Sequence, residues 1–124
     1  MGWRMLQGMH RAAAVHAEVG NDVVVDDMLL DDRVLADWRV ALAGASTLLV
    51  RLTAPLDGLL RQESARKVHP TPGLVEGHFG LHEGIAADLV IDTSINTPEE
   101  AALRVLQASF PAVQGGALHL SARQ

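Results

Sequence analysis

Two adjacent carboxylates, Asp26 and Asp27, follow directly on three consecutive valines, Val23-Val24-Val25. A run of β-branched residues fits a strand buried on both faces, as in a parallel sheet, and open α/β sheets bind their ligands beyond the carboxyl ends of such strands. Carboxylates at that place suit the water shell of a Mg²⁺ ion that carries nucleotide phosphates. Taken alone, the pair reads more readily as two solvated strand-end groups that cap the turn before Met28. A second cluster, Arg61, Glu63, Arg66 and Lys67, stands just ahead of His69-Pro70-Thr71-Pro72-Gly73. Prolines keep that stretch irregular, so it reads as a loop or lid, and a guanidinium beside a lid suits anionic phosphoryl oxygens. The competing reading is a charged, solvated helix face. Lys67 is the only lysine, and the phosphate-loop pattern G-x-x-x-x-G-K-[ST] does not occur in the chain.

The remaining candidates point to packing. His78 and His82 are four apart, a spacing that places two ligands on one helix face, but beyond Glu83 no obvious third ligand accompanies them. His10 and His16 fall on an amphipathic segment and read as partly buried or solvated side chains. Met5, Met9 and Trp38 read as core. Ser46, Ser64 and Ser94 lack a G-x-S-x-G context, and the absence of cysteine removes thiolate metal sites and thiol catalysis.

The elements that must position these groups alternate between helix and strand. Trp3 to Val19 has helical spacing through Met5, Met9, Ala12, Ala13 and Val15, and closes at Gly20-Asn21. Asp22 to Asp26 is the first predicted strand. Asp31 or Asp32 caps a helix to about Ala43, with Val34, Leu35, Trp38 and Leu42 on one face. Ser46 to Thr53 is a strand, Leu56 to about Lys67 a helix, Leu74 to Glu83 a short helix, and Ala87 to Asp92 a third strand. Thr97-Pro98-Glu99-Glu100 starts a last helix to about Phe110, with Pro at the first position and Glu three after Thr. This order predicts a three-layer α/β/α sandwich with a parallel sheet, in a single domain over residues 1–111 with a loose tail over 112–124.

At 124 residues the chain has room for one small domain, and a net charge of −5 with ten Lys and Arg argues against a phosphate-backbone surface. No apolar run reaches the length of a membrane helix, and no signal-peptide h-region opens the chain. The sequence therefore reads as a soluble cytoplasmic protein without a nucleic-acid or membrane partner.

Four ordered strings carry a family resemblance: G-M-H-R-A-A-A-V-H-A-E-V-G-N-D-V-V-V-D-D-M-L-L-D (Gly8 to Asp31), L-L-V-R-L (Leu48 to Leu52), R-Q-E-S-A-R (Arg61 to Arg66) and H-E-G-I-A-A-D-L-V-I-D-T-S (His82 to Ser94). Their order and spacing over Gly8 to about Leu106 resemble the chloramphenicol phosphotransferase family. The family is P-loop kinase-like and transfers the γ-phosphoryl of ATP to a hydroxyl of the antibiotic. The resemblance implies Mg-ATP as cofactor and a small-molecule alcohol as substrate. It implies Asp26 and Asp27 at the metal, Arg66 as the lid arginine that neutralises the transferred phosphoryl group, and Arg66, Lys67 and His69 as nucleotide contacts. Where the family tends to place a second lid arginine, this chain has His69, which carries a full charge only below about pH 6.5.

In the family, the phosphate loop and the carboxylate that accepts the substrate proton precede the region where Met1 stands. The expectation is thus an N-terminally truncated, incomplete P-loop kinase-like fold without useful kinase activity by itself. The family topology sets the strand before the phosphate loop between the Val23 strand and the Leu48 strand, so its absence leaves an open slot and favours self-association. Two functions follow: an O-phosphotransferase of which this chain is part, or a non-catalytic remnant that serves as a small α/β binding or self-association module.

Overall fold

The computed structural model describes residues 2–68 and 71–110. Helix α1 (Trp3–Glu18) ends as the spacing predicts, with Gly20 at φ 92°, a left-handed conformation that costs glycine little. Asp31 caps α2 (Asp32–Ala41): its Oδ1 accepts the Val34 N–H at 3.0 Å. Strand β1 (Val50–Thr53) is followed by α3 (Leu56–Ala65) behind Pro55, then α4 (Leu74–His78), β2 (Leu89–Asp92) and α5 (Pro98–Ser109). The Thr97–Glu100 capping box at α5 is complete, with Glu100 N donating to Thr97 Oγ1 at 3.2 Å and Thr97 N to Glu100 Oε2 at 2.7 Å.

The architecture is mixed α/β with parallel strand pairing, as the alternation of elements predicts. β1 and β2 pair in register Val50 to Leu89 through Thr53 to Asp92. Asp88 extends the ladder by accepting the Leu49 N–H at 2.8 Å, and the Thr93 N–H donates to Thr53 O at 2.8 Å.

The predicted strand over Asp22 to Asp26 is not formed: residues 21–30 carry no regular structure, and Val24 is 95% exposed. A valine run favours a strand only when neighbours flank it, because β-propensity measures packing against partner strands. The helix expected over Leu74 to Glu83 stops at His78, since Phe79 is extended and Gly80 has φ 78°. The tail over 112–124 lies outside the described residues.

The chain divides into two compact units, Met1–Thr47 with Leu81–Gly84, and Leu48–Gly80 with Ile85–Gln124. In the first, α1 packs on α2, and the buried side chains are His10, Ala14, Val34 and Trp38. The apolar stripe expected on α1 is not the packed one, for Met5, Met9 and Val15 are all exposed. Instead Leu6, His10 and Ala14, spaced by four, line the covered face. That face is the one on which the polar ring of His10 meets Asp37 of α2 and so enters the interior with a partner. In the second unit α5 lies along β2, α3 packs on α4, and Ile91 is fully buried.

Candidate functional site

The first unit gathers four side chains around the end of the valine run. Trp38, on the covered face of α2, donates its indole Nε1–H to Asp27 Oδ2 at 2.7 Å. The His10 ring lies against the Trp38 ring, with centroids 4.0 Å apart and planes tilted by 33°. Its Nδ1 meets Asp37 Oδ2 at 2.5 Å, and its Nε2 faces Asp27 Oδ2 at 4.0 Å. Gln7 Nε2 reaches the other Asp37 oxygen at 3.5 Å. The hydrogen bond from His10, with smaller help from Gln7 and from the charges of His10 and Arg11, holds the Asp37 carboxyl below its ordinary value of 3.8, against partial desolvation. Two residues past Asp27, the Leu29 N–H donates to His82 Nε2 at 3.1 Å. The unstranded segment is therefore tied down at Asp27 and again at Leu29.

Asp26 differs sharply from its neighbour. It is exposed and makes no side-chain hydrogen bond or ion pair among the described residues, whereas Asp27 is part-buried and held. Among the described residues no group of three or more His, Asp or Glu stands ready to hold a metal ion. Two hard carboxylates nonetheless fit Mg²⁺, which usually takes one or two of them and completes its shell with waters and substrate phosphates.

In the second unit, Arg66 is the C-cap of α3 and Lys67 follows it; both are exposed. Their side chains have no partner among the described residues, so both are available to an anion. Glu63, expected on a solvated face, instead accepts the Val75 N–H at 2.9 Å and ties α3 to the start of α4. Arg66 and Lys67 thus follow directly on a helix that is tied to α4, and Gly73 at φ 82° turns the chain into α4. Arg61 is engaged with Asp57 at 2.8 Å, a pair one helical turn apart, whereas the Arg66 guanidinium at the end of α3 meets no partner among the described residues. His69 lies outside the described residues.

The two histidines at metal-like spacing have other work. His78 Nδ1 contacts Leu74 O at 2.8 Å inside α4, while His82, beyond the helix end, serves Leu29. His10 is the residue that sequence reasoning undervalued. The signal lay in its i±4 relation to Leu6 and Ala14, but its acidic partner stands 27 positions away.

A family model described as chloramphenicol phosphotransferase-like protein matches residues 3–109. No curated protein and no solved structure matches the chain. The family match takes in α1 through α5, the Asp26-Asp27 pair and the Arg66-Lys67 connection, leaving out only two residues at the start and fifteen at the end. This chain therefore belongs to the chloramphenicol phosphotransferase-like family.

Proposed function

We propose that the chain is part of an ATP-dependent O-phosphotransferase that phosphorylates a hydroxyl of chloramphenicol or a similar small alcohol. The observation that carries this reading is the family match over nearly the whole chain, with the two clusters it needs presented differently: a carboxylate held at Asp27, and at Arg66 an exposed guanidinium without a partner among the described residues. Asp26 and Asp27 would hold Mg²⁺ through water, and the ion would supply charge neutralisation on the nucleotide phosphates. Arg66 would bind the phosphoryl oxygens as their charge spreads, a task that a planar guanidinium does better than an ammonium. Lys67 and His69 would add nucleotide contacts.

Phosphoryl transfer depends on positioning and electrostatics, and the backbone amides and lysine of a phosphate loop supply much of both. The chain contains no such loop, so as it stands it is proposed to be inactive. Calorimetric titration with Mg-ATP, beside an Arg66→Ala variant, tests the site. Binding that Arg66→Ala weakens supports a working phosphate site. A folded chain that gives no heat favours the second reading, a non-catalytic module that associates with its own copies. That reading has its own observation, the exposed Val23-Val24-Val25 segment, which pairs with no strand among the described residues.

A further inference from the structure

Helix α1 is apolar on two opposite sides. Leu6, His10 and Ala14 line the side that α2 covers, whereas Met5, Gly8, Ala12, Val15 and the C-cap Val19, alternately three and four residues apart, line the other. That second side faces solvent: Met5 is 65% exposed, Val15 55% and Val19 71%, and a Cβ placed on Gly8 meets nothing within 4 Å. Apolar residues in alternating three-four spacing form the seam of a helix pair, and a helix that is apolar on both sides is normally packed on both. Gly8 and Ala12, in the middle of the seam, let two backbones approach closely. We propose, resting on the self-association reading above and giving it a surface, that two copies of this chain pair through this side of α1, antiparallel about a two-fold axis.

Charge selects the direction of pairing. Arg4, Arg11 and Glu18, seven apart, follow one flank of the seam, and Met9 and His16 follow the other; all five are exposed. In a parallel pair opposite flanks meet, so Arg4 and Arg11 would face Met9 and His16 of the second copy and find no carboxylate. In an antiparallel pair like flanks meet. With Met5 against Val15 of the second copy and Gly8 against its Ala12, Arg4 faces Glu18 of the second copy and Glu18 faces its Arg4, two opposite-charge pairs made by one axis. Arg11 comes near its own copy at that axis, but its guanidinium is drawn back along α1, donating to the Gln7 carbonyl at 3.1 Å. Such a contact uses the same surface on both copies and stops at a dimer, whereas edge pairing through the valine run can add further copies. The 16 residues of α1 span about 24 Å, less than a standard interface, so the dimer is a weak one.

Sedimentation velocity over a concentration series, on the full chain carrying Val24→Lys, separates this contact from the valine run. The expected result is a monomer–dimer equilibrium that persists in the Val24→Lys chain. Ala12→Glu, added to it, sets a carboxylate in open solvent in the monomer but inside the seam of the dimer, and weakens the dimer about tenfold. Arg4→Glu and Glu18→Arg each weaken it about threefold by opposing like charges at both ends, and the double variant, or an equimolar mixture of the two single variants, restores it. If the parent associates but the Val24→Lys chain is monomeric at every concentration, the α1 contact is overturned and the self-association reading stands on the valines alone. A parent that does not associate overturns both. A dimer indifferent to Ala12→Glu overturns the α1 contact, and one that Ala12→Glu weakens but the mixture fails to restore overturns the antiparallel pairing. Circular dichroism checks that each variant keeps the helix content of the parent. Should Ala12→Glu lose it, the charge-swap series carries the same comparison without altering the seam.

Discussion

Trp38 shows how one side chain serves both stability and the site, since its ring fills the interior of the first unit and its N–H meets Asp27. Trp38→Phe keeps most of the volume and deletes the donor, so urea unfolding should show a loss of about 1.5–3 kcal/mol, the usual range for a hydrogen bond to a charged group. Asp37 supplies a pH signature. Its folded pKa is held below the ordinary 3.8, so its contribution is fully present above that value and is lost as pH falls through the folded pKa. Melting curves of the parent and of Asp37→Asn should therefore be well separated at pH 6 and converge as pH drops below 3.8. At this scale the sequence was partly legible. Asp26, Asp27 and Arg66 stand out through charge and context, and Trp38 is in the core as its spacing predicts. The burial of His10 was hidden because it depends on Asp37 and Trp38, both brought to it from distant positions.

Capping chemistry is the most transparent level of this chain. Thr97 with Glu100, Asp31 before α2, and Gly20 after α1 each do what their residue types dictate. Thr97→Ala removes the acceptor for Glu100 N and should cost about 1 kcal/mol, with the loss localised to α5 if followed by residue-resolved thermal NMR. Strand formation was less transparent, for a physical reason. A helix closes its own hydrogen bonds, whereas a strand needs another, so Val50–Thr53 and Leu89–Asp92 form strands because they have each other. The valine run, more β-prone than either, has no such partner among the described residues and is not a strand. The buried face of α1 was misjudged for a related reason: Met5 and Met9 are more apolar than His10, but only His10 has a carboxylate waiting on α2.

For the whole molecule, the parallel α/β character was legible from the alternation of elements, and the family from the order of four strings. The exposed valines set the expected behaviour in solution. A row of β-branched side chains with unpaired backbone is a template for pairing with another copy, so light scattering should show concentration-dependent association, and Val24→Lys should reduce it. The buried side chains are also shared unequally between the two units. His10, Ala14, Val34 and Trp38 are enclosed in one, whereas Ile91 alone is enclosed among the described residues of the other. Resistance to local opening follows enclosure of this kind. Amide protons of α1 and α2 near His10 and Trp38 should then exchange with deuterium well after those of β1 and β2, giving the protein two clocks, the slower of which runs in the unit that holds the acidic pair.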